Sequence, residues 1–409
     1  MRQGPRHQRR PATGSARRRW RVLAMAVAAL CAAALAVVAF TILSRWLPPA
    51  LLPLSPLLTR HDLHVVPFAL AGVGVGALAV LAGARRTGGL TMAVAASTAV
   101  VALLPVAASW RTAEEQDVPL SLAAYLAPDP ERGPDESDVV YGHADGRELR
   151  LDVYRPRGGG RTPAIVHVHG GAWIGGDKAE FPGWPRRLAD QGYTVFSVDY
   201  RLAPPERWRD APGDVRCALN WVTEHAADYG ADPGRVVLSG SSAGGHLALM
   251  AAYADDTIPP TCGDGDTAVA AVLALYPVAD IAAWWRTETL GYGGAGRSRP
   301  AMRAYTGGTP AEVPGAYELG SPGHYVRPGL PPTLILHGGR DHTVPPEPSE
   351  RLAGRLAAAG VPTRFVRLPF AEHGFDVAQG SWADQIAHGV TTRFLAEHAP
   401  PRDTAHGDR

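Results

Sequence analysis

A serine framed by small residues is the strongest candidate for chemistry in this sequence. Ser242 lies in the segment GSSAG at 240–244, directly after the apolar run RVVLS and directly before an apolar stretch that begins at Gly245. In a G-x-S-x-G pattern, the small neighbours permit a tight turn from strand to helix that lifts the serine hydroxyl above the sheet. Glycine and serine are also ordinary turn residues, so the pattern alone leaves a simple turn open.

A second glycine pair is suited to stabilise negative charge on a carbonyl oxygen. Gly170 and Gly171 follow the apolar run AIVHVH, within the segment HGGAW at 169–173. Backbone N–H groups at glycines can approach a ligand without a side chain in the way, and the amide of Ala243 at a helix start can join them. The sequence therefore predicts an oxyanion hole formed by the amides of Gly170, Gly171 and Ala243, with a plain glycine turn as the alternative.

The serine needs a base, because a free hydroxyl is a poor nucleophile at neutral pH. Among 15 histidines, His373 is placed best, in a loop after the run TRFVRL and before the last helical stretch. Asp341 follows the run TLILH and is the predicted partner of His373, because Asp376 and Glu372 are too near the histidine in sequence for an easy approach to its ring. The order Ser, Asp, His is that of α/β-hydrolases and differs from the chymotrypsin and subtilisin orders.

The elements that must position these residues form an α/β pattern. An antiparallel hairpin with an Asp-Gly turn is predicted at 139–153. After it, short apolar strands alternate with helical stretches, which implies a mostly parallel central sheet flanked by helices on both faces. The predicted domain covers 138–400, after a linker at 111–137 that is rich in proline and acidic residues and before a polar tail at 401–409. The candidate strands are 164–169, 193–199, 235–239, 270–276, 333–337 and 363–368.

Three long apolar runs precede this domain, at 22–44, 65–84 and 90–110, within a predicted membrane anchor at 22–110. None contains Asp, Glu, Lys or Arg, and about 20 helical residues cross ~30 Å of hydrocarbon. We predict three transmembrane helices; a signal peptide followed by two core helices is the alternative, but the first run exceeds the apolar core of a signal peptide. The spacing of Gly72 and Gly76 predicts close packing among the three spans of one chain.

Arginines beside these runs predict the orientation in the membrane. Eight arginines lie in the basic segment 1–21, and Arg85 and Arg86 lie in the short loop between the second and third runs. The positive-inside rule places both segments in the cytoplasm and everything after Trp110 outside it. We therefore expect a multi-pass protein of the cell membrane with its N-terminus in the cytoplasm and its catalytic domain on the extracytoplasmic side.

Composition excludes several other classes of protein. The 409 residues have a formal net charge of +1, which gives no basic field for DNA or RNA. Three cysteines are too few for a disulfide-stapled miniprotein. Cys217 and Cys262 can pair in an oxidising compartment, but sequence alone does not test their geometry, and we expect them to be unpaired.

Neither a metal nor a cofactor is predicted. His167, His169 and His246 have no Asp or Cys partners at ligand spacing. The segment 291–296 matches G-x-G-x-x-G, but it follows no clear strand and leads toward Arg297 and Pro300, so a mobile loop is preferred to dinucleotide binding.

The segment 280–325 is rich in glycine and proline and is predicted to be an insertion over the active site. Trp173, Trp284 and Trp285 are candidate substrate-binding residues. Packing of the insertion onto the core is an equally good account of Trp284 and Trp285.

Five motifs in one order resemble the α/β-hydrolase esterases that are similar to hormone-sensitive lipase and its bacterial relatives. They are HGGAW at 169–173, DYRLAP at 199–204, GSSAG at 240–244, HGGRDHTVP at 337–345 and EHGF at 372–375. IGGDK at 174–178 also resembles the related feruloyl- and xylan-esterase-like branch. The resemblance implies that Ser242 is the nucleophile, His373 the base and Asp341 its orienter. Ser241 departs from the family pattern, since many relatives have an acidic residue there, and Ala172 replaces a frequent third glycine.

Together these observations predict a membrane-anchored serine hydrolase that cleaves carboxylic esters through an acyl-enzyme. The expected partners are a small-molecule or lipid ester and the lipid bilayer, with no nucleic acid. A peptidase or amidase on the same scaffold remains an alternative, because the triad chemistry is shared. A non-catalytic surface-binding module with a hydrolase fold is the alternative from another class.

Overall fold

The computed structural model describes residues 13–44, 47–127, 132–158, 160–254, 257–263, 265, 268–287 and 298–401. The chain forms two compact units, Met1–Ala107 and Ala108–Arg409. The glycine-rich segment 291–296 and the polar tail after Pro401 lie outside the described residues.

The first unit is helical. Its helices are α1 (Thr13–Leu43), α2 (Leu54–Arg60), α3 (Asp62–Leu81) and the first part of α4 (Arg85–Glu115), with a short 3-10 helix at Pro49–Leu51. Within the described residues, three helices are long and apolar enough to cross a membrane, at Ala16–Leu43, Asp62–Leu81 and Arg85–Glu115. The second ends slightly before the predicted boundary at 84, because Gly83 takes a positive φ of 89° that ends the helix.

Glycines bring the helices of this unit close together. A Cβ at Gly88 of α4 would lie 2.5 Å from the carbonyl oxygen of Gly76, and a Cβ at Gly72 would lie 2.5 Å from a methyl of Leu35 in α1. No larger residue fits at such distances without displacing a neighbour. Gly72 and Gly76 thus lie where long helices of one chain pack closely, as their spacing predicts.

Two threonines of α4 also link it to α1. The hydroxyl of Thr91 donates to the carbonyl oxygen of Ala28 at 2.9 Å, and that of Thr98 donates to the carbonyl oxygen of Leu35 at 3.1 Å. Both pairs are spaced by seven residues, so the hydrogen bonds follow a single seam between the helices.

The second unit is built on a mixed sheet of eight strands within the described residues. The order is β1-β2-β4-β3-β5-β6-β7-β8. β2 is antiparallel to both of its neighbours, β1 and β4, and the six strands β3 to β8 are parallel to one another. This confirms the predicted hairpin and the mostly parallel sheet. The strands are β1 (Glu136–Ala144), β2 (Arg147–Tyr154), β3 (Thr162–Val168), β4 (Thr194–Val198), β5 (Ala231–Ser241), β6 (Val269–Leu275), β7 (Thr333–Gly338) and β8 (Thr363–Leu368).

Helices cover both faces of the sheet because neighbouring strand residues face opposite sides. Val166 and Leu238 face the layer that contains α7 and α8, whereas Ile165 and Val237 face the layer that contains α6 and α13. All four side chains are fully buried. The helices are α5 (Leu122–Leu126), α6 (Gly183–Asp190), α7 (Asp210–His225), α8 (Ala243–Tyr253), α9 (Ile281–Arg286), α10 (Ser298–Thr306), α11 (Pro314–Leu319), α12 (Glu347–Ala358) and α13 (Trp382–His398), with 3-10 helices at Ala226–Tyr229 and Pro322–Tyr325.

Much of the segment predicted as a linker, 111–137, is folded against this unit. α4 continues to Glu115, and Ala113 and Val118 are buried in the core. The ring of Tyr125 stacks on Trp382 of α13 with ring centroids 4.5 Å apart. Apolar side chains spaced through a polar stretch find a partner surface on α13, which the composition of the segment did not indicate.

Cys217 and Cys262 form a disulfide, so the expectation that they are unpaired was wrong. Their Cα atoms lie 5.0 Å apart although 45 residues separate them in sequence. Gly142 of β1 lies against both sulfurs, where a Cβ would approach them to 2.8 and 3.0 Å. Folding of the hairpin beside α7 brings the two cysteines together, and no local pattern encodes that approach.

Candidate active site

The nucleophile candidate is the single residue between β5 and α8. β5 ends at Ser241 and α8 begins at Ala243, which leaves Ser242 at the turn with φ of 56° and ψ of −118°. A positive φ is strained for a residue other than glycine. The turn is held by hydrogen bonds, because the amide of Ser242 donates to the carbonyl oxygen of Leu275 at 2.9 Å and its own carbonyl accepts from the His246 amide at 3.0 Å.

The three residues predicted from the sequence as a triad lie in direct contact. His373 Nε2 lies 2.8 Å from Ser242 Oγ, and His373 Nδ1 lies 2.7 Å from Asp341 Oδ2. Because a carboxylate only accepts hydrogen bonds, Nδ1 carries the proton and Nε2 is left to accept from the serine hydroxyl. Asp341 is buried, while the His373 side chain is 17% exposed, so the imidazole reaches solvent and the carboxylate does not.

Four donors surround the carboxylate of Asp341. Its Oδ1 accepts from the amides of Thr343 and Val344, both at 2.8 Å, and its Oδ2 lies 3.3 Å from His337 Nε2 as well as beside His373. Burial alone would raise the pKa of Asp341, but the charge of His373 and the hydrogen bonds from both histidines hold that pKa well below its ordinary value. The carboxylate is therefore kept ionised at neutral pH.

His337 is a residue that the sequence reasoning missed. It lies on β7 and is fully buried, with Nδ1 accepting from the Ser349 hydroxyl at 2.9 Å and Nε2 facing the carbonyl oxygen of Val344 at 3.1 Å. Its position at the end of an apolar strand, four residues before Asp341, could have indicated that it contacts the acid. A polar residue in a buried strand must find hydrogen-bond partners, and the acceptors near His337 Nε2 belong to Asp341 and Val344 in the loop that follows β7.

The predicted oxyanion amides lie beside the serine. A Cβ at Gly170 would be 3.4 Å from Ser242 Cβ, and Gly171 has a positive φ of 104° that a side chain would strain. Ala243 is the first residue of α8, so its N–H has no partner in the helix. Among the described residues, none of these three amides donates a hydrogen bond to another backbone group. Tyr200 donates its hydroxyl to the carbonyl oxygen of Gly170 at 3.1 Å and so fixes the loop.

Two of the three tryptophans proposed for substrate binding have almost no free surface. Trp173 is 0% exposed and Trp284 is 2% exposed. Trp173 stacks on Tyr305 with centroids 4.2 Å apart, and the Trp284 indole N–H donates to the carbonyl oxygen of Thr343 at 2.8 Å. Trp285 is half-buried against Tyr317. The structure thus places Trp173 and Trp284 in the core, where they support the loops of the site and have no surface for a substrate.

The histidines considered as metal ligands are buried and uncharged. Burial lowers the pKa of His167 to about 3 and those of His169 and His246 to about 4. His246 Nδ1 accepts from the Trp173 indole at 3.2 Å, and its Nε2–H donates to the carbonyl oxygen of Gly320 at 2.7 Å. In the described part of the chain, no group of three or more His, Cys, Asp or Glu side chains is arranged to hold a metal ion.

The parallel sheet with its antiparallel first hairpin, the helices on both faces and the serine at a strained strand-to-helix turn define an α/β-hydrolase. More closely, the chain belongs to the BD-FAE family, which matches residues 151–356. The match begins in β2 and ends in α12, so it includes Ser242 and Asp341.

Curated relatives carry esterase names. The chain is 33% identical to the esterase LipQ of Mycobacterium tuberculosis over 263 residues, which cover 62% of this chain and 61% of LipQ. It is 31% identical to the carboxylesterase NlhH of the same species over 252 residues, which cover 58% of this chain and 75% of NlhH. The chain spans about three fifths of the length of the relatives LipQ, LipM and LipC, at 61%, 61% and 62%.

Solved structures agree with this class. Esterase 2 of Thermogutta terrifontis, phosphonylated by sarin, superposes with a TM-score of 0.56 at 28% identity and covers 68% of this chain and 100% of its own. The propionate-bound form of the same esterase gives a TM-score of 0.54 at 29% identity, with 66% and 97% covered.

Proposed function

We propose that this protein is a membrane-anchored serine esterase that hydrolyses carboxylic esters through an acyl-enzyme. The observation that carries the proposal is the chain of contacts from Ser242 Oγ to His373 Nε2 at 2.8 Å and from His373 Nδ1 to Asp341 Oδ2 at 2.7 Å. A serine, a base and a buried acid in this geometry are the requirement for nucleophilic catalysis by a hydroxyl.

In the first step, Ser242 Oγ forms a bond to the ester carbonyl carbon while its proton passes to His373 Nε2. Asp341 stabilises the imidazolium that results, because its carboxylate stays ionised and bound to Nδ1. The amides of Gly170, Gly171 and Ala243 receive the oxyanion, and one such donor contributes ~3–4 kcal/mol in comparable sites. Collapse of the tetrahedral intermediate breaks the bond to the alcohol oxygen, which takes the proton from His373.

In the second step, water attacks the acyl-enzyme. His373 Nε2 takes a proton from the water as its oxygen bonds to the carbonyl carbon, and the same amides hold the oxyanion. When this intermediate collapses, Ser242 Oγ leaves and recovers the proton from His373. The carboxylic acid is released and the enzyme returns to its starting state.

The relatives favour an ester over an amide substrate. LipQ, LipM and NlhH are named as esterases or carboxylic ester hydrolases, and the superposed Thermogutta protein is an esterase. The complete set of serine, histidine, aspartate and free amides argues for catalysis over a purely binding role. We expect a small-molecule or lipid ester as the substrate.

We further propose that the domain lies on the outer face of the cell membrane. Three helices are long and apolar enough to span a bilayer, in the part of the chain that is described. The arginines of the segment 1–21 and those at the start of α4 favour a cytoplasmic location for those segments. A disulfide in the second unit is consistent with an oxidising compartment. A reporter enzyme that is active only outside the cytoplasm should be active when it is fused after Trp110. Activity of a reporter that functions only in the cytoplasm, fused at the same position, would refute this orientation.

The function is tested with the full chain in detergent, on p-nitrophenyl esters from acetate to long acyl chains. Ser242→Ala should remove the hydrolytic activity. Ser239→Ala is a matched control on the same strand, because its hydroxyl bonds His167 at 3.2 Å and does not contact His373. Paraoxon, which phosphorylates the Thermogutta esterase, should label the wild type once, at Ser242.

Each contrary result has its own meaning. Equal ester hydrolysis by the wild type and Ser242→Ala would refute the nucleophile. Activity on aminoacyl amides alone would establish the peptidase alternative. A folded wild type with neither activity nor paraoxon labelling would favour the non-catalytic binding module.

A further inference from the structure

A buried carboxylate that takes no part in the proposed proton transfers lies directly behind the site. Asp376 follows His373 by three residues and is 6% exposed. Its Oδ1 accepts a short hydrogen bond from the Tyr276 hydroxyl, and its Oδ2 accepts from the Ser241 hydroxyl at 3.3 Å. Asp376 does not contact the nitrogens of His373, both of which are already engaged by Asp341 and Ser242.

The two hydroxyls come from different elements of the site. Ser241 is the last residue of β5 and precedes the nucleophile candidate. Tyr276 directly follows β6, whose Leu275 pairs with Ser241 in the sheet. Asp376 belongs to the loop that carries His373. One side chain therefore joins the turn that presents the serine, the end of the neighbouring strand and the histidine loop.

Tyr276 also contacts the imidazole itself. Its ring lies edge-on to His373, with centroids 4.5 Å apart and planes inclined by 61°. Its φ of 37° is in the left-handed region that non-glycine residues rarely adopt, and its amide donates to the carbonyl oxygen of Leu336 at 2.6 Å. Such a conformation persists only where the surroundings hold it, and the hydrogen bond to Asp376 is one of the restraints.

We infer that Asp376 is a positioning residue, which sets the distance between Ser242 and His373 through the hydroxyls of Ser241 and Tyr276. A carboxylate suits this role because it presents two acceptors to two donors, whereas an amide presents one acceptor. The inference rests on the proposed esterase function. It goes beyond that function by assigning a second carboxylate, in addition to Asp341, to the alignment of the reacting groups.

The expected effect is on turnover. Misplacement of a reacting pair by about 1 Å can cost about 100-fold in rate. Asp376→Asn should therefore lower kcat by roughly 10- to 100-fold, while KM changes by less than about twofold, because Asp376 itself does not meet the substrate. The readout is kcat and KM of the full chain in detergent on a short p-nitrophenyl ester, with active sites counted by paraoxon so that only folded enzyme is compared.

A set of hydroxyl variants tests the mechanism of positioning. Tyr276→Phe and Ser241→Ala each remove one donor and keep the carboxylate, and together they should approach the kcat of Asp376→Asn. Adding Tyr276→Phe to Asp376→Ala should cause little further loss, because the alanine has already removed the acceptor of the Tyr276 hydroxyl. Asp232→Asn is the matched control, since Asp232 lies at the far end of β5 from Ser242 and pairs with Arg235; its kcat should equal that of the wild type.

Two results would overturn the inference while the esterase function stands. One is an Asp376→Asn enzyme that melts at a lower temperature but keeps the wild-type kcat per titrated site, which would show a purely structural role. The other is independent, multiplying losses for Asp376→Ala and Tyr276→Phe. If Asp376→Asn fails to fold, Tyr276→Phe decides alone, and wild-type kcat in that variant refutes the inference. A wild type without ester hydrolysis would instead refute the proposed function, and the inference with it.

Discussion

At the scale of single residues, the two carboxylate oxygens of Asp341 have different kinds of hydrogen-bond partner. Asp341 Oδ1 receives two backbone amides, whereas Oδ2 faces the two histidines His373 and His337. The two amides belong to Thr343 and Val344, in the loop that follows β7. They would therefore fix the orientation of any side chain that keeps an acceptor at the Oδ1 position.

Asp341→Asn should lower kcat by about 10⁴-fold, the size of effect found for a comparable change in a serine protease. The asparagine oxygen will occupy the Oδ1 position, because the Thr343 and Val344 amides need an acceptor, and its NH₂ will face His373 Nδ1. That nitrogen must then accept, so the proton moves to Nε2 and the base can no longer receive a proton from Ser242. Ester hydrolysis near neutral pH measures the loss.

Glu372→Gln is the matched control for this experiment. Glu372 lies beside His373 in sequence, but its carboxylate binds His342 Nδ1 at 2.7 Å. We expect its activity to stay within about threefold of the wild type, because its carboxylate is bound to His342 while both nitrogens of His373 are engaged by Asp341 and Ser242. An Asp341→Asn enzyme within tenfold of the wild type, or a larger loss in Glu372→Gln, would contradict the assignment of Asp341.

At the scale of elements, the approach of α8 to β3 explains why two glycines flank the serine. A Cβ at Gly244 would lie 2.0 Å from the carbonyl oxygen of Val168 and 2.4 Å from that of His169. A Cβ at Gly240 would lie 2.4 Å from the Gly244 carbonyl. All of these neighbours are backbone atoms, so no side chain can rotate away to make room.

Gly244→Ala should destabilise the protein by more than about 1–3 kcal/mol, the usual cost of overpacking, and should reduce ester hydrolysis. Either α8 or the end of β3 must move, and the latter carries the Gly170 amide. Denaturant unfolding and kcat measure the two effects.

Gly354→Ala is the control for a helical glycine without neighbours. A Cβ at Gly354 of α12 would meet nothing within 4 Å. This variant should gain about 0.5–1 kcal/mol, because alanine favours the helix over glycine. Equal destabilisation by the two substitutions would show that the close approach of α8 to β3 is not the cause.

At the scale of the whole molecule, buried histidines predict sensitivity to acid. Burial lowers the pKa of His167 to about 3 and those of His169, His246 and His388 to about 4. A histidine in the unfolded chain has a pKa near 6.5. Between about pH 4 and pH 6.5, the chain therefore takes up protons when it unfolds. The stability that the neutral histidines contribute is present above about pH 6.5 and is lost as pH falls toward about 4.

The His388→Gln variant tests this linkage. Its free energy of unfolding should fall less between pH 6.5 and 4 than that of the wild type, because one imidazole no longer gains a proton on unfolding. His143→Gln, at an exposed position of β1, should keep the wild-type slope. Identical slopes in all three proteins would contradict the contribution of His388.

The disulfide makes a second prediction for the whole molecule. Closing a loop between residues 45 apart corresponds to about 4 kcal/mol in the chain-entropy treatment. Cys217→Ser should therefore lower the free energy of unfolding. Cys31→Ser is the control, because Cys31 is free within the described residues and its substitution should leave the disulfide intact. Titration of the denatured wild type should find one thiol, and three thiols would show that the pair is not formed.

Local sequence was sufficient for the elements and for the presentation of the serine. Apolar runs predicted the six parallel and central strands, and the small residues around Ser242 predicted a strand-to-helix turn that the structure contains. The uncharged runs likewise predicted the three long helices. Periodicity, glycine freedom and the length of apolar runs act over a few residues, so they are readable without knowing where distant segments lie.

The order of the motifs predicted that Ser242, Asp341 and His373 meet, but only the tertiary structure showed which other distant groups do so. The contact of Asp376 with Ser241 and Tyr276, the disulfide and the stacking of Trp173 on Tyr305 all join segments separated by tens of residues. Such contacts depend on strand order and on the depth at which helices pack, to within about 1 Å. The sequence by itself determined a chemistry and the elements that present it, because both are local. The folded chain determined how the reacting groups are held, because alignment is a property of many elements at once.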